Sequence, residues 1–219
     1  MNEAPRDNRP DGHVAMPASG RGPRVLVLHP WWGLNDTIRA TCDRLAEAGF
    51  VAFAPDLYHG RVADTIPGAE ALSGALDARE AWSDIRAAAH YLRGLGGADA
   101  RPIAIVAFSM GVYFGLELSV VDPAAVCAVV VFYGTRAGDY VGSQSAYLGH
   151  YAEVDPYESP ADVAATEADI MRAGRPVTFH HYPGTGHWFF EPDRVEAYDA
   201  AAAALAWDRT IDFLRRTIG

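Results

Sequence analysis

Short runs of branched apolar residues alternate along this chain with longer stretches of helical periodicity, and that alternation limits the fold more than any other feature. Arg24–His29 (RVLVLH) is the first clear run. Asn35–Gly49 follows it, opening on a cap residue, carrying Ile38, Cys42, Leu45 and Ala46 on one face and stopping at a glycine. Val51–Ala54 is a brief strand ended by Pro55, and a variable loop, Asp56–Gly68, comes next. The spacing of Trp82, Ile85, Ala89 and Leu92 predicts one long helix over about Ala71–Leu95. Pro102–Phe108 is a strand that runs directly into a helix at Met110–Val120. Ala125–Tyr133 (AVCAVVVFY) is the most apolar strand and belongs mid-sheet, covered on both faces. Ser145–His150 is a further short strand, and Ser159-Pro160 opens a helix running to about Arg172. Val177–Tyr182 is the last strand. The loop Pro183–Arg194 then leads to a final amphipathic helix carrying Leu205, Ile211, Leu214 and Ile218. Strands alternating with helices of this length mean βαβ units, and so an α/β fold with a mostly parallel central sheet and helices on both faces.

The 219 residues fit one domain. Residues 23–219 are expected to form it. The first 22 residues are polar and rich in Pro, Gly, Asn and Arg, which reads as a flexible segment, although His13–Met16 could add an edge strand. No apolar stretch there suits a signal peptide, and no run approaches the ~18 apolar residues of a membrane span, so a cytoplasmic location is expected. A formal charge of −10 argues against general nucleic-acid binding, which needs basic patches. Two cysteines, Cys42 and Cys127, are too few for a disulfide scaffold and read as small buried hydrophobes.

In open α/β sheets the chemistry sits in loops after the carboxyl ends of strands. Three such loops give one consistent signal. Ala107-Phe108-Ser109-Met110-Gly111 joins a strand to a helix with no intervening loop, as in a nucleophile elbow, with Ala107 in place of the usual first glycine. Gly184-Thr185-Gly186-His187-Trp188 follows the last strand, where a triad base belongs. Glu153-Val154-Asp155-Pro156 follows the preceding strand, and Asp155 is the acid that would orient the imidazole, with Glu153 and the more distant Asp139 as competitors. Each signal alone has an ordinary explanation, a strand–helix turn or a solvated loop residue. Together they fall in the order nucleophile, acid, base after successive strands. The oxyanion hole would use the backbone N–H of Met110 and that of Trp31, because Pro30 in the same loop cannot donate. His150 reads as structural, His180 and His181 lie inside a strand, and no spacing suggests a metal site. No cofactor is expected.

Five segments together resemble the dienelactone hydrolase family of α/β-hydrolases. They are VLVLHPWWGLND (Val25–Asp36), APDLYHGR (Ala54–Arg61), IAIVAFSMG (Ile103–Gly111), YLGHYAEVDPY (Tyr147–Tyr157) and YPGTGHWFFE (Tyr182–Glu191). The resemblance implies an α/β-hydrolase fold without a large lid domain, and Ser109, Asp155 and His187 as the triad. Two positions depart from the family's namesake enzymes, which use a cysteine nucleophile tuned by a glutamate after the first strand. Here those positions read Ser109 and Pro30, and the two changes agree, since a serine is activated by its base rather than held as a thiolate. The namesakes bind a dienelactone carboxylate through arginines, for which Arg61 and Arg136 are the candidates. Trp31, Trp32, Tyr58, Tyr113, Trp188 and Phe189 lie in or beside the strand-end loops or one turn into the nucleophile helix, and an aromatic lining of this kind suits a planar or apolar acyl or lactone group. Trp82 and Trp207, on helices, are expected in the core.

The expected activity is hydrolysis of a small carboxylic ester or lactone by a monomer or homodimer. Acyl transfer, lyase or cyclase chemistry on the same frame, or ligand binding without turnover, are the alternatives.

Overall fold

The computed structural model describes residues 9–95 and 101–219. The elements are β1 (Gly12–Ala15), β2 (Arg24–Leu28), α1 (Asp36–Glu47), β3 (Val51–Pro55), α2 (Ile66–Gly74), α3 (Ala78–Gly94) and β4 (Ile103–Phe108). They continue with α4 (Met110–Val121), β5 (Val126–Phe132), β6 (Ala146–Val154), α5 (Pro160–Arg172), β7 (Val177–Gly186) and α6 (Ala200–Ile218). The strands form one sheet in the order β1-β3-β2-β4-β5-β6-β7. Only β1 is antiparallel to its neighbour; it pairs Gly12–Ala15 with Ala52–Pro55 at one edge.

Period-two alternation divides the strand residues between two cores. Val25, Val27, Ala104, Val106, Phe108, Ala128, Val130 and Phe132 meet α1 and α6 on one face. Leu26, Leu28, Ile103, Ile105, Ala107, Val129 and Val131 meet α3, α4 and α5 on the other. Every residue of β2 and β4 is buried, as a parallel strand covered on both faces requires. Trp82 and Trp207 are half-buried and pack against opposite cores.

Three predicted boundaries shift, each for a local reason. The long helix is two helices. Thr65 caps α2, Gly74 ends it, and the Asp77 carboxylate accepts from the Arg79 and Glu80 N–H groups to start α3 afresh. β6 runs to Val154 and β7 to Gly186, because the two continue to pair beyond a register shift between Ala152 and Val154. Pro183 is tolerated inside β7 because that strand is the sheet edge. Cys42 is buried in α1, whereas Cys127 is half-buried.

The topology decides where a site can form. From β2 the chain moves to one side, to β3, and then crosses to the other side, to β4. The crevice outside the carboxyl ends of β2 and β4 is the topological switch point of the sheet. The loop His29–Leu34 and the β4–α4 turn at Ser109 border it.

Candidate active site

Ser109 sits between the last residue of β4 and the first of α4 with φ 46° and ψ −114°. A non-glycine residue in that region is strained by on the order of 1–3 kcal/mol. The turn is paid for by close packing around it. A Cβ on Gly111 would lie 2.6 Å from the Leu28 carbonyl oxygen, and one on Gly134 would lie 2.8 Å from the Ser109 carbonyl oxygen. Glycine at both positions lets α4 pass against β2 and against the end of β5. Ser109 N–H is held by the Phe132 carbonyl at 3.0 Å.

The three strand ends bring their side chains together. His187 Nε2 lies 3.1 Å from Ser109 Oγ, and its Nδ1 lies 2.7 Å from Asp155 Oδ2. A carboxylate can only accept, so Nδ1 carries the proton and Nε2 is left to accept from the serine hydroxyl. The second Asp155 oxygen accepts from the Tyr157 and Glu158 N–H groups at 2.9 and 3.1 Å, which fixes the carboxylate. The His187 and Asp155 side chains are 3% and 6% exposed, so their pairing is shielded from water. The competing acids are engaged elsewhere: Glu153 accepts from Gly184 N–H and Asp139 from Val141 N–H. His150 is fully buried between the Tyr182 hydroxyl and Thr210.

Met110 is the first residue of α4, so its N–H is among those a helix start leaves free of intrahelical partners. Trp31 follows β2 in a turn closed by Gly33 N–H on the Pro30 carbonyl. His29 anchors that loop. Leu57 N–H donates to its Nε2, its Nδ1–H donates to the Pro30 carbonyl, and burial depresses its basicity, so it stays neutral.

The aromatic residues divide. Trp31 and Trp188 are half-buried and stacked at 6.1 Å, and Trp188 stands edge-on to His187 at 5.1 Å. Trp32 is buried beneath them with Ala63 and Ala69 of the α2 region, and Arg194 lies 4.1 Å above its ring. Tyr58 is buried with its hydroxyl on Met110 Sδ at 3.3 Å, and burial lifts its phenol to about 12. Of the expected pocket residues, Trp32, Tyr58 and Phe189 are all buried. Phe189 is fully buried against Tyr133 and Tyr182, because Trp188 adopts φ 68° and turns the next side chain into the sheet-face core. Tyr113 is 51% exposed on α4 with its ring against Phe114. The two candidate arginines have partners of their own. Arg61 is exposed, with Nε on the Tyr58 carbonyl, and Arg136 is ion-paired with Glu117 and lies over Tyr140.

Three residues near the site did not stand out in the sequence. Tyr157 packs on His187 at 5.0 Å from the Asp155 loop. Tyr133, at the end of β5, packs on His187 at 4.7 Å, and its hydroxyl donates to Glu191 at 2.7 Å. Tyr133 follows a strand end and Tyr157 lies two residues after Asp155, so the strand-end rule could have found both. Nothing local marks Glu191 as buried. Among the described residues no cluster of His, Cys, Asp and Glu is arranged to hold a metal ion, and no helix is long and apolar enough to cross a membrane.

The model of the dienelactone hydrolase family matches residues 11–218. The chain belongs to the dienelactone hydrolase family. Protein usf of Aquifex pyrophilus is 29% identical over 215 residues, covering 93% of this chain and 92% of that protein. A Methylorubrum extorquens protein named "Putative carboxymethylenebutenolidase" is 31% identical over 222 residues, covering 92% of this chain and 75% of the relative. Among solved structures, the dienelactone hydrolase-like promiscuous phosphotriesterase P91 from metagenomic libraries superposes with a TM-score of 0.80 at 25% identity, covering 91% of this chain and 88% of that one. The sheet and its flanking helices are those of the family's α/β-hydrolase architecture.

Proposed function

We propose that this dienelactone hydrolase family member is a serine hydrolase that cleaves a small carboxylic ester or lactone through an acyl-enzyme. The observation that carries this reading is the continuous relay from Ser109 through His187 to a shielded Asp155, built on a strained strand-to-helix turn. The family membership supplies the hydrolase frame, and the carboxymethylenebutenolidase name of the Methylorubrum relative points to lactones.

His187 Nε2 takes the Ser109 proton as Oγ attacks the substrate carbonyl. The Met110 and Trp31 N–H groups hold the oxygen that becomes negative, a contribution worth ~100- to 1,000-fold in rate per donor. Asp155 keeps the imidazole in the correct tautomer and stabilises its protonated form. Collapse expels the alcohol, which takes its proton from His187; in a lactone that alcohol stays attached to the acyl group. Water then attacks the acyl-enzyme with His187 again as base, releasing the acid and restoring the serine.

The test is turnover of 4-nitrophenyl acetate and butyrate by wild type and Ser109→Ala. Loss of turnover by at least ~1,000-fold in the folded variant supports the reading, and undiminished activity on every ester cleaved would overturn it.

A further inference from the structure

We infer that Glu191 and Tyr133 are a positioning pair that sets the orientation of His187. The inference rests on the proposed role of His187 as the base. Among the described residues, four non-glycine residues have positive φ: His59, Ser109, Tyr133 and Trp188. Three of these costly conformations converge on one imidazole. Ser109 presents its hydroxyl to Nε2, Tyr133 lays its ring 4.7 Å from the imidazole at 54°, and Trp188 stands edge-on at 5.1 Å. Strain held at a site by its surroundings is expected where geometry is being imposed.

Tyr133 is the wall on one side of His187, and Glu191 is what fixes that wall. The Tyr133 hydroxyl donates to Glu191 Oε1 at 2.7 Å. Glu191 is 0% exposed, and its Oε2 has no hydrogen-bond partner among the described residues. A fully buried carboxyl with half its capacity unused is a poor stabiliser of the fold, and an apolar residue would fill the space at less cost. Its one specific contact ties the His187-bearing loop to the end of β5. The loop is braced at the same point, with Glu191 N–H on the Trp188 carbonyl at 2.8 Å and Arg194 N–H on the Glu191 carbonyl at 2.9 Å. β5 in turn holds Ser109 through the Phe132 carbonyl. Nucleophile and base are thus referred to the same strand end, and the tyrosine–glutamate contact closes the circuit. The charged neighbours of Glu191 are Asp193 and Arg194, and burial raises its carboxyl to about 8, so the carboxyl stays largely protonated at neutral pH and makes a neutral hydrogen bond.

The experiment compares Tyr133→Phe, Glu191→Leu and Glu191→Gln with wild type, measuring kcat and KM on 4-nitrophenyl butyrate at pH 7 together with the melting temperature. Displacement of the imidazole costs on the order of 10- to 100-fold in kcat, with KM held within about two-fold, in Tyr133→Phe and Glu191→Leu. Glu191→Gln keeps a neutral acceptor for the tyrosine and retains kcat within about three-fold. A folded Tyr133→Phe with wild-type kcat overturns the inference, whatever its melting temperature, and so does a rise in KM alone. If Glu191→Leu does not fold, Tyr133→Phe decides, since it keeps the ring and removes only the hydroxyl. Failure of wild type itself to turn over the ester refutes the underlying hydrolase reading instead, and so the two failures are told apart.

Discussion

Replacing Glu191 by Gln should change the pH dependence of stability, because this carboxyl is buried at the end of β5. The Glu191 carboxyl is raised from 4.5 to about 8, chiefly by burial; the Tyr133 hydrogen bond is the largest opposing effect, and Asp193 raises it and Arg194 lowers it by less. A carboxyl whose folded value lies above its unfolded value holds an extra proton in the folded chain between the two. Stability is therefore lost as pH rises through that window, at ~1.4 kcal/mol per pH unit, and levels off above the folded value. Integrated from pH 5.5 to 8.5, the loss from this one group is about 3 kcal/mol. Against a total of roughly 5–15 kcal/mol for a typical domain, that is a large fraction. Glutamine cannot ionise, so the variant lacks the loss while every other titrating group is shared and cancels. Urea unfolding followed by tryptophan fluorescence at pH 5.5, 7 and 8.5 measures it. The stability of Glu191→Gln relative to wild type should climb by about 3 kcal/mol over that range. Parallel curves would overturn this expectation, because they would mean that Glu191 ionises as easily folded as unfolded.

Other perturbations test other links. Asp155→Asn should leave the fold intact and lower kcat by ~10,000-fold, because the amide stabilises the wrong imidazole tautomer; steady-state kinetics with 4-nitrophenyl butyrate checks this. Gly111→Ala drives a Cβ to 2.6 Å from the Leu28 carbonyl, so the melting temperature should fall by about 5–10 °C by differential scanning calorimetry. The buried Cys42 thiol is raised to about 12, so native protein at pH 8 should leave Cys42 unmodified by a thiol-reactive disulfide while urea-unfolded protein reacts at both cysteines.

The sheet was legible because its strands are the apolar runs, and their alternating sides map directly onto the two cores. The order of the candidate triad was legible for a related reason: Ser109 directly follows its strand, and Asp155 and His187 lie in the loops after the next strands read from the sequence, which the structure extends to meet them. What escaped the sequence depended on contacts between distant segments. Ala75 and Leu76 are compatible with a helix, so nothing in the periodicity shows the break that Asp77 imposes by capping α3. Trp188 and Phe189 are adjacent aromatics, and only the positive φ at Trp188 decides which faces the site and which joins the core. Arg136 looked free to meet a carboxylate until its partner Glu117, on a different element, was in view. Glu191 is the sharpest case. A glutamate in a polar loop is ordinarily solvated, and its burial against Tyr133 follows only from how the loop after β7 folds back on β5.

An activated Ser109 should react with an electrophile that unactivated serines ignore. The most direct measurement is reaction of folded wild type and Ser109→Ala with a fluorophosphonate, followed by intact-mass analysis and peptide mapping. One adduct is expected on wild type, located on the peptide carrying Ser109 and lost in the variant. A folded wild type that takes no label, or an adduct mapped to another residue, would contradict it.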